Sequence, residues 1–162
     1  VTSEFGNSKE QVLKTINALK KANIEALVIL PNNDAGYSHI VKEITNSGLK
    51  HVETLSLNDY VNLMKRSKAL IGNSSSGIHE TATFDVVTIN VGTRQQGRLR
   101  SNNVIDVNYD EIEIFEAIEK VKRMKKTKFN KIYGEGDSSK KIIKLLKELS
   151  IDNEIIQKQI TY

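Results

Sequence analysis

Short apolar runs that alternate with helical patterns constrain the fold of this 162-residue chain more than any other feature. Clear runs lie at 25–30, 68–71, 86–91 and 103–107, and a weaker one lies at 51–55. Their apolar character is mostly continuous rather than alternating, which is typical of strands buried on both faces of a parallel sheet. The sequence therefore predicts an α/β fold built on parallel strands.

Helical patterns fill the segments between these runs. The predicted helices begin at a capping box from Ser8 to Gln11, at residue 36, at Asn58, at Gly77, at Asp110 and at Ser138. The last of them carries the apolar residues Ile142, Ile143, Leu145, Leu146 and Leu149. This β–α alternation predicts a doubly wound sheet with helices on both faces. In such sheets, ligands bind at the carboxyl ends of the strands.

The composition excludes several classes of protein. The chain has no cysteine, which rules out a disulfide scaffold, a thiolate zinc site and a cysteine nucleophile. Its three histidines are far apart, so no metal site is expected. No apolar run approaches the ~20 residues that a membrane-spanning helix needs. We therefore expect a reduced, cytoplasmic domain.

The positive charge is concentrated in residues 120–147, where eleven Lys and Arg residues face two acidic ones. Such a block can mark a nucleic-acid or acidic-membrane partner. No run of aromatic residues alternates with the lysines, as a base-stacking platform would need. The pattern favours the solvated face of surface helices, with neither nucleic acid nor membrane as a partner.

A serine-rich segment, residues 72–77, follows the second clear apolar run. Three hydroxyl groups between Gly72 and Gly77, at the entry to a helix, predict a cradle for a phosphate group. The alternative is that Ser76 merely caps the helix, but one hydroxyl would suffice for that. Glu80 follows in the predicted first turn, where it either stabilises the helix dipole or accepts hydrogen bonds from a ribose diol.

An arginine-containing segment, residues 92–98, follows the third clear run. Three of the five arginines in the chain stand at Arg94, Arg98 and Arg100. The segment is either a solvated surface loop or a mobile clamp on a phosphorylated ligand, and the concentration of arginine favours the clamp. The loop after the first run, which contains Asn32, is either a simple turn or a third wall of the same site.

Taken together, these segments resemble the UDP-N-acetylglucosamine 2-epimerase family, most clearly its hydrolysing, sialic-acid-pathway branch. The motifs are residues 30–36 (LPNNDAG), 71–80 (IGNSSSGIHE) and 89–98 (INVGTRQQGR). Residues 133–137 (YGEGD) and 1–8 (VTSEFGNS) are also similar to elements of the family. The resemblance covers nearly the whole chain.

The resemblance implies a GT-B-like enzyme of two Rossmann-like domains, of which residues 1–150 form the C-terminal, UDP-binding domain and 151–162 a helical tail. The implied substrate-binding residues, listed from the cleft wall through the uracil and diphosphate sites to the ribose and sugar, are Asn32, Leu55, Ser56, Ser74, Ser75, Ser76, Gly77, Glu80 and Arg94. Leu55 and Ser56 would meet the uracil through their backbone.

The chemistry that the resemblance implies is elimination of UDP with loss of the sugar C2 proton, followed by addition of water to give N-acetylmannosamine. No cofactor or metal is implied. The family's proton-transferring carboxylates lie in an N-terminal domain that this sequence lacks, so the catalytic residues are expected there and this chain alone is expected to be inactive. The expected partners are the UDP-sugar, that N-terminal domain and further copies in a homo-oligomer. The alternatives are a standalone UDP-sugar-binding module without catalysis and a nucleic-acid-binding domain.

Overall fold

The computed structural model describes residues 6–32 and 36–151. The chain forms two compact units that divide between Ile132 and Tyr133. The predicted division between 1–150 and 151–162 falls inside the second unit, and the tail from residue 152 onward lies outside the described residues. Parts of the motifs at 1–8 and 30–36 also lie outside them. The domain boundary therefore stays a prediction.

Within residues 6–32 and 36–132 of the first unit, five strands form two groups of parallel strands. Strands β1 (Leu27–Ile29) and β2 (Lys50–Val52) pair with each other. Strands β3 (Ala69–Gly72), β4 (Val87–Val91) and β5 (Val104–Val107) form a sheet in the order β3-β4-β5. Every residue of the central strand β4 is buried. The predicted α/β class with parallel strands is confirmed, and each predicted run overlaps a strand.

Helices lie between the strands as the sequence predicts. Their bounds are α1 Ser8–Ala22, α2 Tyr37–Asn46, α3 Leu57–Arg66, α4 Ser76–His79, α5 Glu111–Arg123 and α6 Ser138–Glu148, with a short 3₁₀ turn at Thr81–Phe84. None of the helices in residues 6–32 and 36–151 is long and apolar enough to cross a bilayer. Helices α1 and α5 pack together against β4, and their buried side chains form the main core with those of the strand. That core contains Ala18, Leu19, Ala22, Val87, Ile89, Val91, Ile114, Ala117, Ile118 and Val121.

The predicted caps of α1, α3 and α6 are wrong. For α6, Asp137 rather than Ser138 holds the cap position, and no side chain caps the helix there. The side chain of Ser56, not Asn58, caps α3 by accepting a hydrogen bond of 3.1 Å from the backbone N–H of Asp59. Helix α1 begins at Ser8, but the cap position is Asn7 and no side chain caps it there, so the predicted capping box does not form. Ser8 is the first residue of the helix, so its hydroxyl lies one position past the cap.

The prediction for Asp110 is confirmed. Its Oδ1 accepts hydrogen bonds from the backbone N–H groups of Ile112 (2.9 Å) and Glu113 (3.0 Å) at the start of α5. These bonds satisfy two of the N–H groups that a helix start leaves unpaired.

Helix α6 belongs to the second unit, and none of its described residues is buried. Its apolar residues are between 48% and 67% exposed. These are Ile142, Ile143, Leu145, Leu146 and Leu149.

Gly92 directly follows β4, at a position where only glycine fits. Its φ is +79°, a left-handed conformation that side chains disfavour. A Cβ atom there would also lie 2.2 Å from Cζ of the Tyr109 ring. The turn that leads from β4 into the next loop therefore depends on both the backbone freedom and the small size of Gly92.

We predict that Gly92→Ala lowers the free energy of unfolding by about 3 kcal/mol, because strain and overpacking each contribute ~1–3 kcal/mol. Gly97→Ala is a matched control, since Gly97 has the same φ of +79° but nothing within 4 Å of the added Cβ. That variant should lose only the strain of about 1 kcal/mol. Urea unfolding measures both, and equal losses would show that the Tyr109 contact is relieved without cost.

Candidate functional site

Two neighbouring loops leave the carboxyl edge of the three-stranded sheet. We call residues 72–77 the serine loop and residues 92–98 the arginine loop. Strands β3 and β4 pair in parallel with Gly72 opposite Asn90, so the serine loop leaves β3 beside the end of β4. This arrangement confirms that the two sequence motifs lie on the same edge of the sheet.

The serine loop presents hydroxyl groups rather than using them to cap a helix. Ser76 is the first residue of α4, Ser75 holds the cap position, and no side chain makes a capping hydrogen bond there. The alternative in which Ser76 caps the helix is therefore wrong. The Oγ of Ser74 accepts a hydrogen bond of 3.3 Å from the N–H of Ser76. Ser74 and Ser75 are both exposed, so their hydroxyl groups are accessible to a ligand.

Gly77 fixes the serine loop against the sheet. A Cβ atom on it would lie 2.6 Å from Cγ2 of Thr88, so only glycine allows α4 to approach β4 this closely. Its carbonyl oxygen accepts hydrogen bonds from the hydroxyls of Thr81 (2.8 Å) and Thr88 (2.7 Å). Both threonines are buried, and these bonds satisfy them there. In the structure Gly77 therefore positions the loop through packing.

Glu80 is exposed and directly follows the last residue of α4. Glu80 therefore stands at the end of that helix rather than in its first turn. The alternative in which its negative charge stabilises the dipole at the start of α4 is wrong. Its carboxylate lies close enough to Tyr60 of α3 to influence that phenol.

Tyr60 is a member of this site that the sequence analysis missed. Burial raises the pKa of the Tyr60 phenol, a hydrogen bond with Ser76 partly opposes that rise, and the negative charge of Glu80 adds to it. Tyr60, Ser76 and Glu80 therefore share one face of the molecule. Tyr60 lies one turn after Ser56, the predicted uracil-contact residue, and that spacing was the only signal in the sequence.

The arginine loop is attached to the serine loop and to α4. The side chain of Gln95 is buried, and its Nε2 donates a hydrogen bond of 2.8 Å to the carbonyl oxygen of Asn73. Arg98 Nη1 lies 3.0 Å from Nε2 of His79. The loop is therefore held at two points, and its action as a clamp on a ligand stays a prediction. Arg94 is exposed between these attachments.

Arg100 has a structural role. Its guanidinium pairs with the carboxylate of Asp106 on β5 and donates from Nη2 to the carbonyl oxygen of Gln95 at 2.7 Å. Arg100 contributed to the concentration of arginine that favoured a clamp, but its guanidinium is directed to the sheet and to the backbone of the loop.

The remaining predicted residues lie at the ends of β1 and β2. Asn32 is exposed after β1, and residues 33–35 beside it lie outside the described residues. Leu55 is half-buried, and Ser56 is occupied in capping α3, where its hydroxyl also donates to Asp59 Oδ2 at 2.7 Å. The predicted uracil contact through the backbone of this segment stays a prediction, as does the place of Asn32 in the cleft wall.

The chain is an α/β protein with parallel strands, and its polar candidate site lies at the carboxyl edge of those strands. The sequence profile of the family described as UDP-N-acetylglucosamine 2-epimerase matches residues 2–147. This chain therefore belongs to the UDP-N-acetylglucosamine 2-epimerase family, as its motifs indicated.

Two proteins of similar sequence are both named as 2-epimerases of UDP-sugars. The chain is 31% identical over 163 residues to the UDP-N,N'-diacetylbacillosamine 2-epimerase (hydrolyzing) of Legionella pneumophila, covering 98% of this chain and 43% of that protein. It is 28% identical over 141 residues to the UDP-N-acetylglucosamine 2-epimerase of Neisseria meningitidis, covering 85% of this chain and 37% of that protein. The chain thus spans less than half the length of these relatives.

A solved structure supports the fold. The UDP-GlcNAc 2-epimerase of Methanocaldococcus jannaschii, in complex with UDP-GlcNAc and UDP, superposes with a TM-score of 0.68 at 15% identity. The match covers 86% of this chain and 41% of that one. The chain therefore has the fold of part of a structure in the same family.

We predict that the pKa of the Tyr60 phenol changes when either of its neighbours, Ser76 or Glu80, is substituted. Glu80→Gln should lower the pKa of Tyr60, because the raising negative charge is removed, and Ser76→Ala should raise it, because a lowering hydrogen bond is lost. NMR titration of ¹³C-labelled tyrosine, with Tyr60→Phe to assign the signal, measures both shifts. Since the pKa is raised in the folded chain, stability should fall as pH rises past the usual value of 10.0, and less so in Tyr60→Phe. Unchanged titration in both neighbour variants would contradict the shared face.

Proposed function

We propose that this chain is the UDP-binding part of a UDP-sugar 2-epimerase, with the nucleotide at the carboxyl edge of β3 and β4. The observation that carries this proposal is the exposed pair of hydroxyls on Ser74 and Ser75, held beside Glu80 and the arginine loop on one edge of the sheet. Family membership makes a nucleotide sugar the natural occupant of this edge.

Each group has a role that its chemistry suits. The hydroxyls of Ser74 and Ser75 donate hydrogen bonds to the diphosphate, with Ser76 and Gly77 fixing the loop that carries them. The guanidinium of Arg94 supplies positive charge to the diphosphate or the sugar. The carboxylate of Glu80 accepts hydrogen bonds from the ribose hydroxyls. The backbone near Leu55 and Ser56 meets the uracil, and Asn32 contributes to the wall.

The proposed reaction begins with departure of UDP from the sugar as the C2 proton is removed. Negative charge grows on the leaving diphosphate, and donors already aimed at it stabilise that charge without reorganisation. The serine loop and Arg94 supply this stabilisation. Water then adds to the unsaturated sugar and gives a 2-acetamido sugar with inverted C2, in keeping with the hydrolysing relatives. The groups that transfer the C2 proton are proposed to come from outside this chain.

We expect saturable binding of UDP to this chain by isothermal titration calorimetry at moderate salt. Glu80→Ala and Arg94→Ala should each weaken it by about tenfold or more, because a hydrogen bond to a charged group is worth ~1.5–3 kcal/mol. Glu116→Ala and Arg123→Ala are the matched controls, since both residues are exposed on α5. These variants change the same charges away from the site and should leave the affinity unchanged.

The competing function is nucleic-acid binding through residues 120–147. It predicts binding to DNA or RNA that weakens steeply with salt and does not change in Glu80→Ala. A folded chain that shows this behaviour and no saturable UDP binding would overturn the proposal.

A further inference from the structure

Gln95 is buried in a loop whose neighbouring side chains are exposed. It is 2% exposed, whereas Arg94 and Gln96 on either side are exposed. Burying an amide side chain is costly unless its polar atoms find partners. Gln95 meets only part of this requirement, because Nε2 donates to the carbonyl of Asn73 while the buried Oε1 has no partner among the described residues. A leucine of similar size would avoid the cost, so the position is not explained by core packing.

The side chain of Gln95 joins the two loops of the site. Asn73 precedes Ser74 directly, so the hydrogen bond of 2.8 Å ties the arginine loop to the backbone from which the predicted diphosphate ligands project. The bond is made to a main-chain carbonyl, so it fixes the arginine loop relative to the backbone of the serine loop rather than to a side chain.

The backbone of Gln95 is tied in turn to the sheet. Its carbonyl oxygen accepts from Arg100 Nη2 at 2.7 Å, and Arg100 pairs with Asp106. Asp106 also accepts a hydrogen bond of 2.7 Å from Nδ2 of Asn90, a fully buried residue of β4. Gln95 is therefore held on both sides, by the serine loop through its side chain and by β4 and β5 through its main chain.

From this arrangement we propose that Gln95 is a positioning residue that sets the distance between Arg94 and the serine loop. Arg94 is bonded directly to Gln95 along the chain, so the backbone that carries the arginine is fixed wherever Gln95 is fixed. A backbone fixed in this way lowers the reorganisation that is needed to bring Arg94 to a ligand held on Ser74 and Ser75. The inference rests on the proposed function for its ligand, but the attachment itself is a property of the free chain.

The test compares Gln95→Leu with Gln96→Leu, an identical substitution at the exposed neighbouring position. Gln95→Leu should weaken UDP binding by about tenfold, the effect of losing ~1.4 kcal/mol. In an Arg94→Ala background the same substitution should weaken binding less than twofold, because Gln95 acts through Arg94. A purely structural role would produce the same loss in both backgrounds. Gln96→Leu should leave the affinity unchanged.

A second readout uses no ligand. In the free chain, amide hydrogen exchange of residues 92–98 should become at least tenfold faster in Gln95→Leu and stay unchanged in Gln96→Leu, while urea unfolding confirms that both variants remain folded. If the unsubstituted chain does not bind UDP, the proposed function fails, and the exchange rates alone decide the role of Gln95. Unchanged exchange in Gln95→Leu, or equal loss of affinity with and without Arg94, would overturn the inference.

Discussion

The site depends on two polar side chains that are buried in the central strand. Thr88 and Asn90 alternate with apolar residues on β4 and are almost completely removed from solvent. A buried polar group must find hydrogen-bond partners, and each of these finds them toward a different loop. Thr88 bonds to the carbonyl of Gly77 and fixes α4, whereas Asn90 bonds to Asp106, which holds Arg100 and through it the arginine loop. A purely apolar strand would lack both of these hydrogen bonds and would hold the two loops less firmly.

The strands could be predicted from the sequence because burial on both faces leaves a strong apolar signal. Even the weakest run, 51–55, contains the end of β2, although the strand begins one residue earlier at Lys50. Helix starts were less predictable, because several residues near a helix start can all cap it. Ser56 and Asn58 are both suitable caps for α3, and only the course of the backbone decides between them. The capping box expected at Ser8 does not form because Ser8 is already the first helical residue and Asn7 holds the cap position.

The residues of the candidate site also differ in how far the sequence predicts them. Ser74, Ser75 and Glu80 could be proposed from the sequence, because they lie within seven residues of one another and their types suit a phosphate and a ribose. Tyr60 was missed, since it reaches Ser76 only through the packing of α3. The role of Gln95 was missed as well, although it lies within the quoted motif, because its partner Asn73 is distant in sequence. Contacts made through tertiary packing leave no periodicity that one sequence can show.

The contacts of each residue in the serine loop help to explain why three serines follow one another there. The fold is anchored at Gly77, whose missing Cβ and carbonyl oxygen make the contacts to β4. It does not use a hydroxyl to cap α4, and Ser74 and Ser75 are exposed. Surface positions away from special contacts tolerate most substitutions with little change in stability. The hydroxyl of Ser74 accepts one long hydrogen bond of 3.3 Å from the N–H of Ser76, and that of Ser75 makes none among the described residues. A ligand that accepts hydrogen bonds explains this pair of hydroxyls better than stability does.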